Sequence, residues 1–129
     1  MIVTIRTDAP EAEVGIYEGS KQLSYYTWLA ARQLGKDLLT VISQQLQKNN
    51  ADWPDVSGVV VYEGPGSFTG LRIGITVANA LAYGQDVPVV GVKGEDWLAT
   101  GLKRLVNNET DKLALPFYGA EANITMPKK

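Results

Sequence analysis

The 129-residue sequence contains no cysteine and no histidine. The first absence excludes disulfides, zinc ribbons and thiol nucleophiles. The second excludes every Ser-His-Asp or Cys-His arrangement and every HExxH metal site. Any chemistry would rest on carboxylates, lysines, tyrosines or hydroxyls. Positive charge is also scarce. Twelve Lys and Arg face fourteen Asp and Glu, a net of −2, so the clustered cations that hold nucleic-acid phosphates are missing. No run approaches the roughly 18 apolar residues of a membrane span. The opening MIVTIRTDAP lacks the basic stretch and long apolar stretch of a secretory signal. The expectation is a cytoplasmic protein with no membrane contact.

What is present suits one compact domain, with 45% apolar and 20% charged residues. Ile2–Thr7 alternates and stops at Asp8-Ala9-Pro10, which predicts a strand. Glu13–Glu18 and the Tyr, Thr and Trp-rich Gln22–Ala30 predict two more, joined by a turn at Glu18–Lys21 in which Gly19 supplies a positive φ. Gln33–Lys48 carries Leu34, Leu38, Val41, Ile42 and Gln45 at helical spacing, with Leu39 and Leu46 widening the stripe. Asp52–Asp55 reads as a loop.

Ser57–Tyr62 is a continuous apolar run, as in a strand buried on both faces. A helix is expected over about Phe68–Tyr83, ended by Gly84-Gln85-Asp86, with glycine the usual stop. Val87–Val92 predicts a strand, Glu95–Asn107 an amphipathic helix with Trp97, Leu98, Leu102 and Leu105 inward, and Leu113–Tyr118 a last strand. The order β-β-β-α-β-α-β-α requires a meander followed by parallel crossovers. That is an α/β fold with a mixed five-stranded sheet. It resembles one lobe of the ribonuclease H-like fold shared by actin, heat-shock chaperone ATPases and sugar kinases.

Between the fourth strand and the second long helix lies GPGSFTGLRIG, Gly64–Gly74. It has no lysine and so fails the P-loop template, and its Gly64-x-Gly66-xxx-Gly70 spacing is one residue too long for the dinucleotide fingerprint. Small residues recur every four positions at Gly66, Gly70, Gly74, Ala78 and Ala82, a column that lets another backbone approach. Three occupants remain open: the chain's own sheet or first helix, a helix of another chain, or a phosphate at the helix start with Arg72 reaching back.

The block Gly64, Pro65, Gly66, Ser67, Phe68, Thr69, Gly70, Leu71, Arg72, Ile73 and Gly74 resembles the signature of the TsaB (YeaZ) family. The resemblance continues through ANALAYGQDVPVVGV, MIVTIRTDAP and GKDLLTVISQQL, over about residues 1–107. It implies an actin-like fold without catalytic metal ligands. It implies a platform that pairs with TsaD, the subunit that transfers a threonylcarbamoyl group to tRNA adenosine. The pairing would use the two helices of this lobe, with Leu34, Leu38, Val41, Ile42, Gln45, Gly70, Gly74, Ala78 and Ala82 as interface. A TsaE-like ATPase would dock on the pair, tRNA would be met only indirectly, and the chain alone would form a homodimer. On this reading Gly74→Leu or Ala78→Trp abolishes pairing and spares folding.

The sequence also departs from the family. Residues 1–110 match one lobe, and 111–129 read as a remnant of the second lobe or a tail whose lysines suggest a natural end. Where the family's first strand ends in Asp-Thr-Ser, Arg6-Thr7-Asp8 stands here. Arg6 is expected as an edge-strand surface charge, with Asp8 a partial substitute for the lost acid. Leu34-Gly35 replaces the His-Ser pair of the first helix, and Tyr118-Gly119-Ala120 lacks the acid and base of the family counterpart. Glu63 is expected as a solvated strand-end charge, Glu95 and Asp96 as complements to a helix dipole, and Trp28, Trp53 and Trp97 as core or rim. The family's peptidase label finds no chemistry here, and no catalytic residue, metal or cofactor is expected. The alternatives are a degenerate nucleotide-binding or phosphotransfer domain, whose melting temperature ATP would raise, and a stand-alone homodimeric remnant.

Overall fold

The computed structural model describes residues 1–30 and 33–117, with the backbone alone at Phe68. The remaining expectations, on Tyr118 and beyond, lie outside the described residues. Strands β1 (Ile2–Arg6), β2 (Glu11–Glu18) and β3 (Lys21–Leu29) form the antiparallel meander, and Gly19 takes its turn at φ +60. Helix α1 (Leu34–Lys48) leads to β4 (Gly58–Gly64), α2 (Phe68–Gln85) to β5 (Val89–Lys93), and α3 (Trp97–Val106) follows. The sheet order is β3-β2-β1-β4-β5, with β4 parallel to both β1 and β5. This is the single ribonuclease H-like lobe expected from the element order.

Helical and strand periodicity place the core. Every residue of β4 is buried, because helices cover both of its faces. Helix α3 lies over Gly58, Val60 and Tyr62, where Gly101 meets Val60 and Trp97 packs edge-on against Tyr62 at 5.7 Å between ring centres. Helices α1 and α2 take the opposite face. There Leu38, Ile42 and Leu46 are completely buried with Val3, Ile5 and Val59, each side chain contributing about 2 kcal/mol on full burial. Trp97 is core, and Trp28 and Trp53 pack on its rim.

Several local expectations are corrected. Helix α2 runs through Gly84 to Gln85, and Asp86 takes the left-handed cap at φ 55 and ψ 51. Strand β5 starts at Val89, two residues later than the apolar run, and extends to Lys93. Residues Trp53–Asp55 form a 3-10 turn, closed by reciprocal Asp52 and Asp55 side-chain bonds. Helix α3 begins at Trp97, so Glu95 lies before it and Asp96 caps it without a side-chain bond. Leu39 does not widen the buried stripe but is 49% exposed. Leu113–Phe117, expected as strand, is an irregular strap. Its backbone is held by side chains at Asn79 and Glu63 and by the Glu63 carbonyl rather than by a ladder.

Candidate functional site

Three places hold residues singled out by the sequence: the end of β1, the glycine turn, and the outer sides of α1 and α2. The first is closed by its own charges. β1 is central in the sheet, so Arg6 is not an edge-strand charge. Its Nε donates to Asp8 Oδ1 at 2.7 Å and Nη2 to Oδ2 at 3.2 Å, while the guanidinium lies 4.0 Å from the centre of the Tyr62 ring. The hydrogen bond to Asp8 raises the Arg6 pKa above its usual value, against the lowering effect of burial. A cation at this strand end would have to displace a guanidinium from both carboxylate oxygens. The donor set here does not fit a bound metal.

The glycine turn is stitched to the same strand end. Gly64 sits at φ +133 and the Gly64–Pro65 peptide is cis. The Phe117 carbonyl passes so near Gly64 that a β-carbon there would collide with it. Tyr62 Oη donates to the Pro65 carbonyl at 2.8 Å, and the Ser67 N–H donates to the Asp8 carbonyl at 2.9 Å. Gly66 faces Asp8, Gly70 faces the Thr7 carbonyl, and Gly74 faces the Thr7 side chain, each without space for a β-carbon. Thr7 Oγ1 donates to the Gly70 carbonyl at 2.7 Å. The small column thus admits the chain's own β1 end.

The expected partner face is corrected on the same ground. Leu34, Leu38, Val41, Ile42 and Gln45 of α1 are buried within this chain, as are Gly74, Ala78 and Ala82 of α2, with Gly70 half-buried. Their side chains are already committed to the sheet. What α1 and α2 leave open is a groove on their outer side. One stretch of about 430 Å³ is lined by Gly35, Thr69, Arg72, Ile73, Thr76 and Val77. A second of about 300 Å³ shares Thr76 and Val77 and continues past Leu39, Ala80 and Gln85. Gly35 brings no side chain to the groove, and a β-carbon built there would stand 3.8 Å from Ile73 Cγ2. Reading α2 for a second stripe at Ile73, Thr76, Val77 and Ala80 would have found this face, because those positions follow helical spacing.

Glu63 is a buried charge rather than a solvated one. It is 7% exposed, and its carboxylate accepts from Lys93 Nζ at 3.2 Å and from the Leu115 N–H at 2.8 Å. A polar cavity of about 490 Å³ lies under the strap, bordered by Glu63, Lys93, Arg104 and Asp111. Those charges are matched within the chain, Lys93 to Glu63 and Arg104 to Asp111.

Comparison with known proteins bears on the family and the fold. The family model described as TsaD, tRNA N6-adenosine threonylcarbamoyltransferase, matches residues 28–120. The tRNA threonylcarbamoyladenosine biosynthesis protein TsaB of Escherichia coli K12 is 29% identical over 103 residues, covering 80% of this chain and 44% of that protein. TsaB of Bacillus subtilis 168 is 49% identical over 66 residues, covering 51% of this chain and 27% of that protein. The solved structure of YeaZ from Pseudomonas aeruginosa superimposes with a TM-score of 0.65 at 25% identity, over 71% of this chain and 43% of that one. The chain spans less than half the length of each of these proteins.

Proposed function

The chain belongs to the TsaD family and within it to the TsaB (YeaZ) group, and we propose from this that it is a non-catalytic scaffold in tRNA threonylcarbamoyladenosine biosynthesis. It pairs with a TsaD-like subunit. The observation that carries the reading is the continuous apolar groove between α1 and α2, with Leu39 half-exposed at its wall. Two helices laid against it would bury that face, and the small residues Gly35 and Ala80 would allow close approach. In the absence of the transferase the same groove joins two copies of this chain. A TsaE-like ATPase docks on the heterodimer, and tRNA is met through the partner. The work is done in the cytoplasm. This chain brings no metal or nucleotide of its own, in keeping with the Arg6–Asp8 pair.

Light scattering on a sizing column tests the reading, with the chain alone and mixed with the TsaD-like protein of the same genome. A one-to-one heterodimer that replaces any homodimer is the expected result. A chain that elutes unchanged beside that protein would overturn it.

A further inference from the structure

The two edges of the sheet are finished differently. At β5 the backbone groups of Val89 and Gly91 point away from β4, and each finds a partner outside any strand. The Val89 N–H donates to Thr110 Oγ1 at 3.3 Å, and its carbonyl accepts from the Asp111 N–H at 2.8 Å. The Gly91 N–H donates to Asp111 Oδ2 at 2.7 Å, and its carbonyl accepts from Arg104 Nη1 at 3.1 Å. A carboxylate oxygen stands where a neighbouring strand would place a carbonyl, and a guanidinium N–H stands where it would place an amide. Arg104 and Asp111 are themselves joined by two hydrogen bonds, and Arg104 Nε donates to Glu109 at 2.9 Å. The imitation strand is therefore rigid. Asn79 fixes its continuation by bonding both the N–H and the carbonyl of Ala114.

At β3 nothing comparable exists among the described residues: no group outside β2 bonds the backbone of Lys21–Leu29. The six residues Ser24–Leu29 carry no charge, glycine or proline, and Tyr26 and Leu29 are 45% and 78% exposed. A long uncharged edge of this kind is a template for another strand. If both edges were open, β3 of one copy would pair with β5 of the next. That contact is head-to-tail and leaves a free edge at each end, so it repeats without closing.

We infer that Arg104, Thr110 and Asp111 form a cap that ends the sheet at β5 and blocks head-to-tail sheet growth between copies of this chain. With the cap in place only β3 is available, and strand pairing stops at two copies.

The test is the double variant Thr110→Val with Asp111→Ala, examined as the full chain. Light scattering over a concentration series should show species larger than any the unaltered chain forms at the same concentration, and the Val89 and Gly91 amides should exchange at least tenfold faster than in the unaltered chain. Adding Tyr26→Lys, which puts a charge on β3, should restore the original size. A folded double variant of unchanged size would overturn the inference. So would growth that Tyr26→Lys does not stop, since it would run through another surface. Should the double variant fail to fold, Thr110→Val alone decides. It should speed exchange selectively at Val89, and equal rates at Val89 in the two chains would overturn the cap.

Discussion

Gly74 faces the hydroxyl of Thr7 with no space between them for a β-carbon. Thr7 is itself buried and donates to the Gly70 carbonyl one turn earlier. Helix α2 and the end of β1 are therefore in backbone contact, and the small column of α2 is part of the core. Gly74→Leu and Ala78→Trp should destabilise this chain by about 3 kcal/mol or more, through overpacking at a site that cannot open. Urea midpoints of the isolated chain measure this. A variant that keeps its stability and loses only its partner would return those positions to an interface.

Leu39→Arg should behave in the opposite way. Leu39 is exposed on the wall of the groove, so the substitution should leave stability within about 0.5 kcal/mol. It should weaken pairing with the TsaD-like subunit by at least about tenfold, or about 1.4 kcal/mol. Titration calorimetry on the purified pair gives the affinity, and a thermal melt of the chain alone gives the control.

Asp111 ties the strap to acid stability. Burial pushes its pKa up, but the hydrogen bonds from Arg104 and the Gly91 N–H outweigh that and hold the carboxyl below its usual value. The sign follows directly. As pH falls past the unfolded value of about 3.9, the unfolded chain takes up the proton first. The stabilisation is therefore complete above about pH 4 and is lost as pH falls through the lower folded value. Denaturant midpoints between about pH 2.5 and 6 should fall less steeply for Asp111→Asn than for the unaltered chain.

Tyr25 sets a matching limit in alkali. Burial, then the hydrogen bond to Glu13 Oε1 at 2.5 Å, raises its pKa well above that of a free tyrosine. The folded chain keeps this proton where the unfolded chain, near pH 10, releases it. Stability from Tyr25 is present below about pH 10 and is lost as pH rises further. Tyr25→Phe should flatten the alkaline decline, and absorbance titration of the phenolates should lose its latest component.

Much of this fold was legible because its elements carry strong, unmixed periods. The continuous apolar run of β4 reads as a strand covered on both sides, and the Leu34–Leu46 stripe marks a helix with one apolar face, although the family resemblance assigns that face to a partner rather than to this chain's own sheet. The edges of elements were less readable. Within the expected stop Gly84-Gln85-Asp86 it is Asp86 that takes the left-handed cap, because a left-handed aspartate competes with glycine for a cap and the sequence does not rank them. The site was harder still. Spacing identified the small column of α2 but not what filled it, since a column of glycines is equally open to a strand end, a second helix or an anion. Glu63, Asn79 and Asp111 were unreadable for a different reason. Each holds a backbone group of the strap or of β5, and backbone acceptors and donors leave no mark in the sequence of their partners.

The position of β1 has a consequence for the order in which the chain can fold. β1 is made before the other four strands of the sheet, yet it lies at the sheet's centre, and one of its two neighbours is β4, with Ile2 set against Gly58. During synthesis the meander can close early on local contacts. The backbone edge of β1 that pairs with β4 must then wait until more than fifty further residues have left the ribosome. That non-local parallel pairing is the slow step expected of such a topology. Until it forms, the nascent chain displays an unpaired strand at what will become its interior.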